Sequence, residues 1–407
     1  MHAMKPRWTM HDRIAAVLRH QKPDRPPFID RMELWYQTKL QAGALPEKFK
    51  GMSLNDVHRA VGIGRQKFSP PYAFKLRGVE VVFTFQDQII FQESEPLMDY
   101  FPAAWAPEQV PRDQAGKTLI EFITPVGKVS LSYVFAESLI SMGGMEPLLK
   151  EHLIKEENDF RIAEYIIERA EFVPRFENIY ADSEMLAENG FVVPSLHRIP
   201  FQQALLEYLG EIPLFTALYE SPQRLKRLIE VLDQHLVEIL HRLSDLSALY
   251  VEFPDNLDGF MTNPNLFQEY CLPYYQKYAD ILHGQGKKVG AHTDGNVKPL
   301  LKLLAESGLD VCESFSPAPL TECTFEEAWD TWQKGPLIWG GIPSPLLEKR
   351  TSESEFKAYV ERLLHVIGNR PIILGVGDMV MGNNLIERVE YIAKKIAASG
   401  TDVGDPT

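Results

Sequence analysis

The chain has 407 residues, of which 45% are hydrophobic and 24% are charged, and its formal net charge is −14. These values are ordinary for a globular protein, and the length is sufficient for one large barrel, since (β/α)8 barrels take roughly 250 residues or more. The negative charge argues against partners that are nucleic acids or anionic membranes, and three cysteines without a Cys-x-x-Cys pair exclude a disulfide framework and a thiolate zinc finger.

The sequence also contains no sign of membrane insertion or export. No apolar run approaches the roughly 20 residues that a membrane-spanning helix needs. The N-terminus lacks the apolar stretch and the small-residue cleavage site of a signal peptide. We therefore expect a cytoplasmic protein.

The N-terminal segment predicts a helix followed by a first barrel strand. Thr9 is a candidate N-cap for a helix that runs to about His20, and Phe28-Ile29-Asp30 is the predicted strand. Arg31 and Tyr36 follow at its end and so belong near the rim of the sheet. Arg31 would either form an ion pair with Glu33 or Asp30 or contact a substrate, and the sequence leaves both interpretations open.

Alternating and β-branched residues from about 79 to 135 predict an antiparallel β insertion. Thr124-Pro-Val-Gly127 supplies a turn signal inside it. The insertion carries no pair of catalytic residue types at metal-ligand spacing. Its expected roles are therefore a wall of the pocket or an oligomer surface, as in a homodimer. We expect residues 1–407 to form one domain that carries this insertion.

Helices and parallel strands dominate the rest of the chain. Helices are predicted at about 158–173, 201–210 and 222–243. From Gly190 onward six strand–helix units follow one another, which is typical of a parallel sheet with outer helices. The crossover rule and the number of units favour a closed (β/α)8 TIM barrel over an open sheet.

Polar side chains stand at the ends of these strands. His292 and Asp294 end one strand two positions apart, so both point to the same side. Glu313 ends the next strand, and Asp378 follows the last one. A histidine with carboxylates suits catalytic Zn²⁺. Alternatively the cluster holds no metal, and crowded carboxylates raise one another's pKa until one acts as a general acid.

Further strand-end residues are candidates for contact with a substrate. Glu252 and Asp255 lie at another strand end, where either could bind a substrate or pair with a lysine. Trp339 and Tyr36 are aromatic residues of a kind more often found in a core. At a barrel mouth, however, they would suit a flat apolar substrate.

The sequence resembles the uroporphyrinogen decarboxylase superfamily, which includes cobalamin-dependent methyltransferases acting on methylated thiols, amines and aromatic ethers. The resemblance implies a (β/α)8 barrel with its site at the C-terminal mouth. The features that carry it are Lys22-Pro-Asp-Arg-Pro-Pro27, His292-Thr-Asp-Gly295, Gly308-Leu-Asp310, Gly340-Gly341 and the glycine-rich loop from Gly375 to Gly382.

Two departures from the superfamily narrow the hypothesis. The decarboxylases use an arginine-rich loop against a polycarboxylate, whereas the loop here has one arginine, Arg31, and two acids, which would repel such a substrate. The thiol-activating methyltransferases bind zinc through His-x-Cys and a later Cys. The positions that correspond are His292, Asp294 and Asp378, so oxygen replaces sulfur, which argues against thiol activation.

The leading hypothesis is a corrinoid-dependent methyltransferase, the demethylating component of an O-demethylase. It would take a methyl group from a methyl ether or similar small donor and pass it to cob(I)alamin on a separate corrinoid carrier protein. Zinc held by His292, Glu313 and Asp378 would stabilise the leaving group, with His292, Asp294 and Asp378 as catalytic residues. The predicted substrate contacts are Arg31, Tyr36, Asp255 and Trp339.

Two alternatives stay open. One is a cofactor-free decarboxylase, in which Arg31 holds a carboxylate and Asp378 or His292 protonates the product carbon. The other is a barrel that binds a small ligand without catalysis.

Overall fold

The computed structural model describes residues 8–99, 106–138 and 146–400. The chain divides into two compact units. The first unit comprises Met1–Ser69, Ile179–Ser195 and Ala248–Thr407, and the second comprises Pro70–Asn178 and Leu196–Ser247.

The first unit contains eight parallel strands among its described residues. In chain order they are β1 (Ile29–Asp30), β2 (Gly64–Ser69), β3 (Gly190–Pro194), β4 (Tyr250–Phe253), β5 (Lys288–His292), β6 (Val311–Phe315), β7 (Leu337–Ile342) and β8 (Ile372–Val376). The six strands predicted from Gly190 onward are confirmed. Strand β2, Gly-Arg-Gln-Lys-Phe-Ser, was not predicted, because it has no apolar run that would mark it as a strand.

These strands pair in two parallel sheets. Their orders are β1–β2–β3 and β4–β5–β6–β7–β8. Single parallel bridges also pair Phe28 with Leu374 and Ser195 with Glu252, so each end of one sheet meets an end of the other. Since all neighbours are parallel, the carboxyl ends of the strands lie on one side of the unit.

Helices separate most of these strands along the chain. Their starts follow local capping chemistry: the Thr9 hydroxyl accepts the backbone N–H of Asp12, and Ser352 and Thr324 cap later helices in the same way. In the first unit the α-helices are Met10–Leu18, Glu33–Gln41, Leu54–Val61, Pro264–Tyr270, Leu272–Gly284, Leu301–Glu306, Phe325–Thr331, Glu353–Ile367 and Ile386–Ala398. The N-terminal helix therefore ends two residues before its predicted limit.

The core of the first unit lies between the N-terminal helix and the strands. Ile14 and Val17 of that helix pack in one apolar cluster with residues of β3, β4, β6, β7 and β8. Trp339 is 1% exposed, and its ring lies 5.7 Å from that of Tyr250 and 6.0 Å from that of Phe191. Burial of each large apolar side chain of this kind contributes about 1.5–3 kcal/mol to stability.

The second unit contains antiparallel sheets and helices. The predicted insertion is confirmed as antiparallel, but its strands extend beyond 79–135. One sheet has the order Gln88–Ser94, Glu80–Phe85, Gly116–Thr124, Gly127–Phe135 and Leu148–Glu151, and the other has Ala170–Pro174, Tyr72–Leu76 and Leu97–Met98.

One helix predicted in the second unit was too long. It ends at Ile167, and Ala170–Pro174 is a strand that pairs with Tyr72–Leu76. Sheet pairing thus overrides local helical propensity in this segment. The α-helices of this unit are Glu157–Ile167, Pro200–Gln203, Glu211–Glu220 and Pro222–Arg242, with a π-helix at Ala204–Leu209, and the helix Phe176–Leu186 crosses the boundary between the units.

No helix in the described part of the chain is both long enough and apolar enough to cross a membrane.

Candidate metal and catalytic site

His292 is the centre of a polar cluster at the carboxyl end of β5. The register of β5 and β6 places it beside Glu313, and its Nδ1 lies 2.5 Å from Glu313 Oε2. The other carboxylate oxygen of Glu313 accepts a 2.9 Å hydrogen bond from the Nε2 amide of Gln66. All three side chains are buried. Glu313 is therefore held on both oxygens and fixes the orientation of the imidazole ring.

Burial and charge compete in setting the pKa of His292. Burial alone would lower it, but the Glu313 carboxylate at Nδ1 outweighs that effect and raises the pKa to about 9. For Glu313, burial raises the pKa, whereas His292 and Arg31 lower it further than burial raises it. Without a metal the pair is thus an imidazolium beside a carboxylate at neutral pH.

The other nitrogen of His292 faces two more carboxylates. Nε2 lies 3.7 Å from Asp294 Oδ2 and 3.8 Å from Asp378 Oδ1. The side chain of His292 is 8% exposed, while those of Asp294 and Asp378 are 29% and 36% exposed. Asn256 donates a 3.1 Å hydrogen bond to Asp294 Oδ2. Asp294 and Asp378 are therefore the more exposed members of the cluster, beside a buried Nε2.

Asp378 is held in place by Arg31. The Nη2 group of Arg31 donates to the Asp378 carbonyl at 2.7 Å and to its Oδ1 at 2.9 Å. The guanidinium also lies 4.7 Å from the centre of the Phe68 ring, and Asp30 accepts the backbone N–H of Arg31 at 2.7 Å. Arg31 therefore forms an ion pair, but its partner is Asp378 and not the predicted Glu33 or Asp30; Glu33 pairs with Arg65 instead.

A further carboxylate, Glu252, completes the inner side of the cluster. It is fully buried, and its Oε2 accepts a 2.7 Å hydrogen bond from the Tyr250 hydroxyl, while Oε1 has no hydrogen-bond partner among the described residues. Ligand atoms of Glu252, His292 and Glu313 all lie within 4.8 Å of one another. Burial and the charge of Glu313 raise the pKa of Glu252 well above its usual value, which favours its neutral form.

An inner and an outer set of residues surround His292, and in the described part of the chain only the inner one brings three ligand atoms within 4.8 Å of one another. The outer set adds Asp294 and Asp378, and the inner set adds Glu252 and Glu313. Zinc bonds to nitrogen and oxygen measure about 2.0–2.2 Å, so the donors of a tetrahedral site lie about 3.3–3.5 Å apart. The 3.7 and 3.8 Å separations at Nε2 exceed that spacing by a few tenths of an ångström, but the ligand atoms of His292, Asp294 and Asp378 do not all lie within 4.8 Å of one another. The outer set also leaves Glu313 on Nδ1, as a carboxylate that orients a metal-binding histidine.

The structure brings together five of the residues predicted from the sequence. They are Arg31, His292, Asp294, Glu313 and Asp378. Their convergence follows from the parallel pairing of strands, which the sequence pattern indicated.

Three predicted substrate contacts lie in other surroundings. Trp339 packs in the core of the first unit and offers almost no accessible surface to a substrate. The Tyr36 hydroxyl donates to the carbonyl of Met52 at 2.7 Å. Asp255 is fully buried and accepts a 2.5 Å hydrogen bond from the Tyr275 hydroxyl. The core position of Trp339 corrects its prediction, because an aromatic residue in a strand has the same local pattern whether it faces core or mouth.

Sequence reasoning missed two residues that shape the site. Gln66 lies in β2, the strand that was not predicted, so its bond to Glu313 had no signal in the sequence. Ser314 follows Glu313 and accepts the backbone N–H of Asp378 at 2.7 Å. Strand alternation places it on the side opposite Glu313, and an irregularity of β6 changes that direction.

Comparisons with known proteins agree with this architecture. A family model described as uroporphyrinogen decarboxylase (URO-D) matches residues 213–398. A methyltransferase from Methanosarcina mazei has a similar structure, with a TM-score of 0.58 and 12% identity over 96% of this chain and 99% of that chain. A Bacteroidetes-affiliated GH5 cellulase gives a TM-score of 0.34 and 13% identity over 57% and 76%, which is too low to carry an argument. No curated protein matches the sequence.

The family match confirms the resemblance to uroporphyrinogen decarboxylase over residues 213–398, and the structural similarity agrees with the α/β fold. At 12% identity the likeness to the methyltransferase shows the fold alone.

Proposed function

We propose that the chain is a methyltransferase of the corrinoid-dependent type, which removes a methyl group from a small donor such as a methyl ether. The acceptor would be cob(I)alamin on a separate corrinoid carrier protein. The observation that carries the proposal is the arrangement around His292: Nε2 faces Asp294 and Asp378, and Glu313 is bound to Nδ1.

The proposal includes the closed barrel. Eight parallel strands in two sheets, joined end to end by the bridges Phe28–Leu374 and Ser195–Glu252, favour a single (β/α)8 ring. In such a ring the C-terminal mouth is where catalytic groups gather, and the strand ends carrying His292 and Glu313 would lie there. An experimental structure that leaves either junction open would contradict this part of the proposal.

The residues of this cluster would bind a zinc ion through oxygen and nitrogen atoms and not through sulfur. His292, Asp294 and Asp378 would hold the ion, and Glu313 would keep Nε2 unprotonated by retaining the ring proton at Nδ1. A Lewis acid bound there supplies stabilisation of the negative charge that develops on the leaving oxygen of a methyl ether.

The neighbouring side chains keep the charge of this face balanced. Arg31 neutralises Asp378 and fixes its carboxylate, so that Asp294 and Asp378 do not repel each other unopposed. Burial and the charge of Glu313 favour the neutral form of Glu252, which limits the charge on the buried side. The chain's own residues thus hold one imidazole and two carboxylates in a fixed arrangement that remains open to solvent on one side.

A decarboxylase is the second candidate, and the family match is the observation that favours it. That reaction would need Arg31 to bind a substrate carboxylate, whereas Arg31 already pairs with Asp378 at 2.9 Å. Incubation with candidate acids and no corrinoid distinguishes the two, because release of carbon dioxide would support the decarboxylase.

The test combines metal content with methyl transfer. Protein purified without chelators should contain about one zinc per chain, and His292→Ala and Asp294→Asn should lose it. The matched control is His283→Ala, which removes another histidine paired with a carboxylate, the 2.7 Å contact of His283 with Asp310. Wild-type protein should methylate cob(I)alamin from a panel of methyl ethers. Full activity after both site substitutions would refute the proposal.

The same experiment separates the two metal sets. If the outer set binds, Glu252→Gln keeps most of the zinc and Asp294→Asn does not. The opposite result would assign the ion to Glu252, His292 and Glu313 instead.

A further inference from the structure

The strand that carries Glu313 is irregular directly after that residue. The pairing of β6 with β7 shifts in register between Cys312 and Phe315, and Ser314 between them has a backbone φ of +61°. Only a few per cent of residues other than glycine adopt a positive φ, and each such residue costs about 1–3 kcal/mol, so the surrounding structure must stabilise it.

The neighbouring strand is shaped to accept this irregularity. Gly340 in β7 has a φ of +132°, and a Cβ atom added to it would lie 2.7 Å from the backbone nitrogen and oxygen of Phe315. The close approach of the two backbones therefore depends on glycine at this position. The irregularity of β6 is a built feature of the sheet.

The irregularity turns two consecutive side chains toward the cluster. In a regular strand, neighbouring side chains point to opposite faces. Here Glu313 reaches His292, while the hydroxyl of Ser314 accepts the backbone N–H of Asp378 at 2.7 Å. Ser314 is 2% exposed, so this hydrogen bond is shielded from water.

Asp378 itself needs this support. Its φ is +67°, in the left-handed region, and it lies in the loop that follows β8. Arg31 holds the loop from one side through the carbonyl and carboxylate of Asp378, and Ser314 holds it from the other side through the amide. Both contacts together define the direction of the Asp378 carboxylate.

We propose that Ser314 is a positioning residue that sets the Asp378 carboxylate against Nε2 of His292. This inference rests on the proposed function, in which Asp378 holds the metal. Two consecutive residues of β6 then shape the site from opposite sides of the imidazole. Glu313 orients His292 through Nδ1, and Ser314 orients Asp378, which faces Nε2.

The first measurement is hydrogen exchange of the peptide that contains Asp378, in the full-length protein without metal. Ser314→Ala removes the acceptor and should speed exchange of that amide at least tenfold. Ser307→Ala is the matched control, because Ser307 is also buried and its hydroxyl accepts the N–H of Leu309, just before the same strand begins. Faster exchange at Asp378 in both variants would show a general loss of structure and overturn the proposal.

The second measurement is metal affinity. Loss of a residue that supports a metal ligand costs about 10–100-fold in affinity, so Ser314→Ala should weaken Zn²⁺ binding by that factor and change the visible spectrum of bound Co²⁺. Ser307→Ala should change neither. Unaltered affinity and unaltered exchange in Ser314→Ala would overturn the proposal.

Two further variants separate the hydroxyl from the backbone conformation. Ser314→Gly accepts a positive φ without strain, so it should have a higher Tm than Ser314→Ala and still exchange quickly at Asp378. Ser314→Asn tolerates positive φ and keeps an acceptor oxygen, and it should regain part of the protection. If Ser314→Gly protected Asp378 as well as the wild type does, the hydroxyl would have no positioning role.

Failure of the positioning inference and of the proposed function can be told apart. A wild-type protein that binds no zinc would contradict the proposed function. The exchange of the Asp378 amide in Ser314→Ala would still decide whether Ser314 positions that residue.

Discussion

Replacement of Glu313 by Gln should reverse the direction in which the pKa of His292 departs from its ordinary value. In the wild-type protein, burial opposes protonation of His292, but Glu313 raises its pKa from 6.5 to about 9. In Glu313→Gln the buried imidazole loses the carboxylate that stabilises its charge. Its pKa should then fall to 6.5 or lower, because burial becomes the dominant effect.

The magnitude follows from the linkage between protonation and folding. The folded pKa lies above the unfolded value, so the contribution to stability is fully present below pH 6.5 and is lost as the pH rises through 9. A difference of about 2.5 pKa units corresponds to about 3 kcal/mol at about 1.36 kcal/mol per unit. The metal-free wild type should therefore lose up to about 3 kcal/mol between pH 6.5 and 9, and Glu313→Gln should show no such loss.

The assay is an NMR titration of the His292 ring protons in metal-free protein, together with urea unfolding at several pH values. Glu306→Gln is the control, because it removes one carboxylate charge from an exposed position. A His292 pKa that stays near 9 in Glu313→Gln would refute the reasoning, since the carboxylate would then not be its cause.

Zinc binding should favour the unprotonated form of His292, which is the opposite of the effect of Glu313. A metal ligand must be an unprotonated imidazole, so each bound zinc should displace about one proton below pH 9. Calorimetry in buffers of different ionisation enthalpy measures that number. No proton release at pH 7 would mean that the metal does not use His292.

Three other substitutions test the fold. His58 is fully buried, and its Nδ1 lies 3.0 Å from the Gly64 carbonyl. Burial lowers its pKa to about 3, so the free energy of unfolding should fall as the pH drops from 6.5 towards 3. His58→Asn keeps the hydrogen bond and should reduce the slope of unfolding free energy against pH by about 1.4 kcal/mol per pH unit in acid unfolding curves. Glu207→Gln breaks a buried 3.0 Å ion pair with Arg198 and should cost about 3–5 kcal/mol by urea denaturation. Gly340→Ala should cost more than about 2 kcal/mol by the same measurement, because its Cβ atom would overlap the backbone of β6.

Each of these expectations has an outcome that contradicts it. An unchanged acid slope in His58→Asn would mean that this histidine does not titrate between the folded and unfolded states. A loss below about 1 kcal/mol in Glu207→Gln would mean that Arg198 finds other compensation on losing the charge. A fully stable Gly340→Ala would show that β6 can shift away from β7.

The strand ends of the site could be predicted because they follow local rules. Buried strands of four to six residues mark β4 to β8, and the parallel arrangement follows from the helices between them. His292 and Asp294 share a face because side chains alternate along a strand. The convergence of Glu313 on His292 needed only that these two strands be neighbours, and they are consecutive in the sheet.

Other parts of the site depend on contacts between distant segments, which a single sequence does not reveal. Gln66 comes from a polar strand 247 positions away from Glu313, its hydrogen-bond partner. The pairing of Arg31 with Asp378 joins the first strand to the last through a loop of positive φ. Trp339 was expected at the barrel mouth but lies in the core, because the local sequence pattern of a strand does not show which of its aromatic residues face the core.

The geometry of His292 favours one of the two possible metal sets. In the inner set, Glu313 would have to exchange its 2.5 Å contact with Nδ1 for a bond to the metal, and two buried glutamates would both have to be ionised. Glu252 resists ionisation, because burial and the nearby charge of Glu313 raise its pKa well above its usual value. The outer set uses Nε2 and two carboxylates that are already hydrated in part, so it keeps every buried hydrogen bond of the cluster. We therefore propose that zinc binds at the outer set, and the zinc contents of Glu252→Gln and Asp294→Asn decide between the two sets.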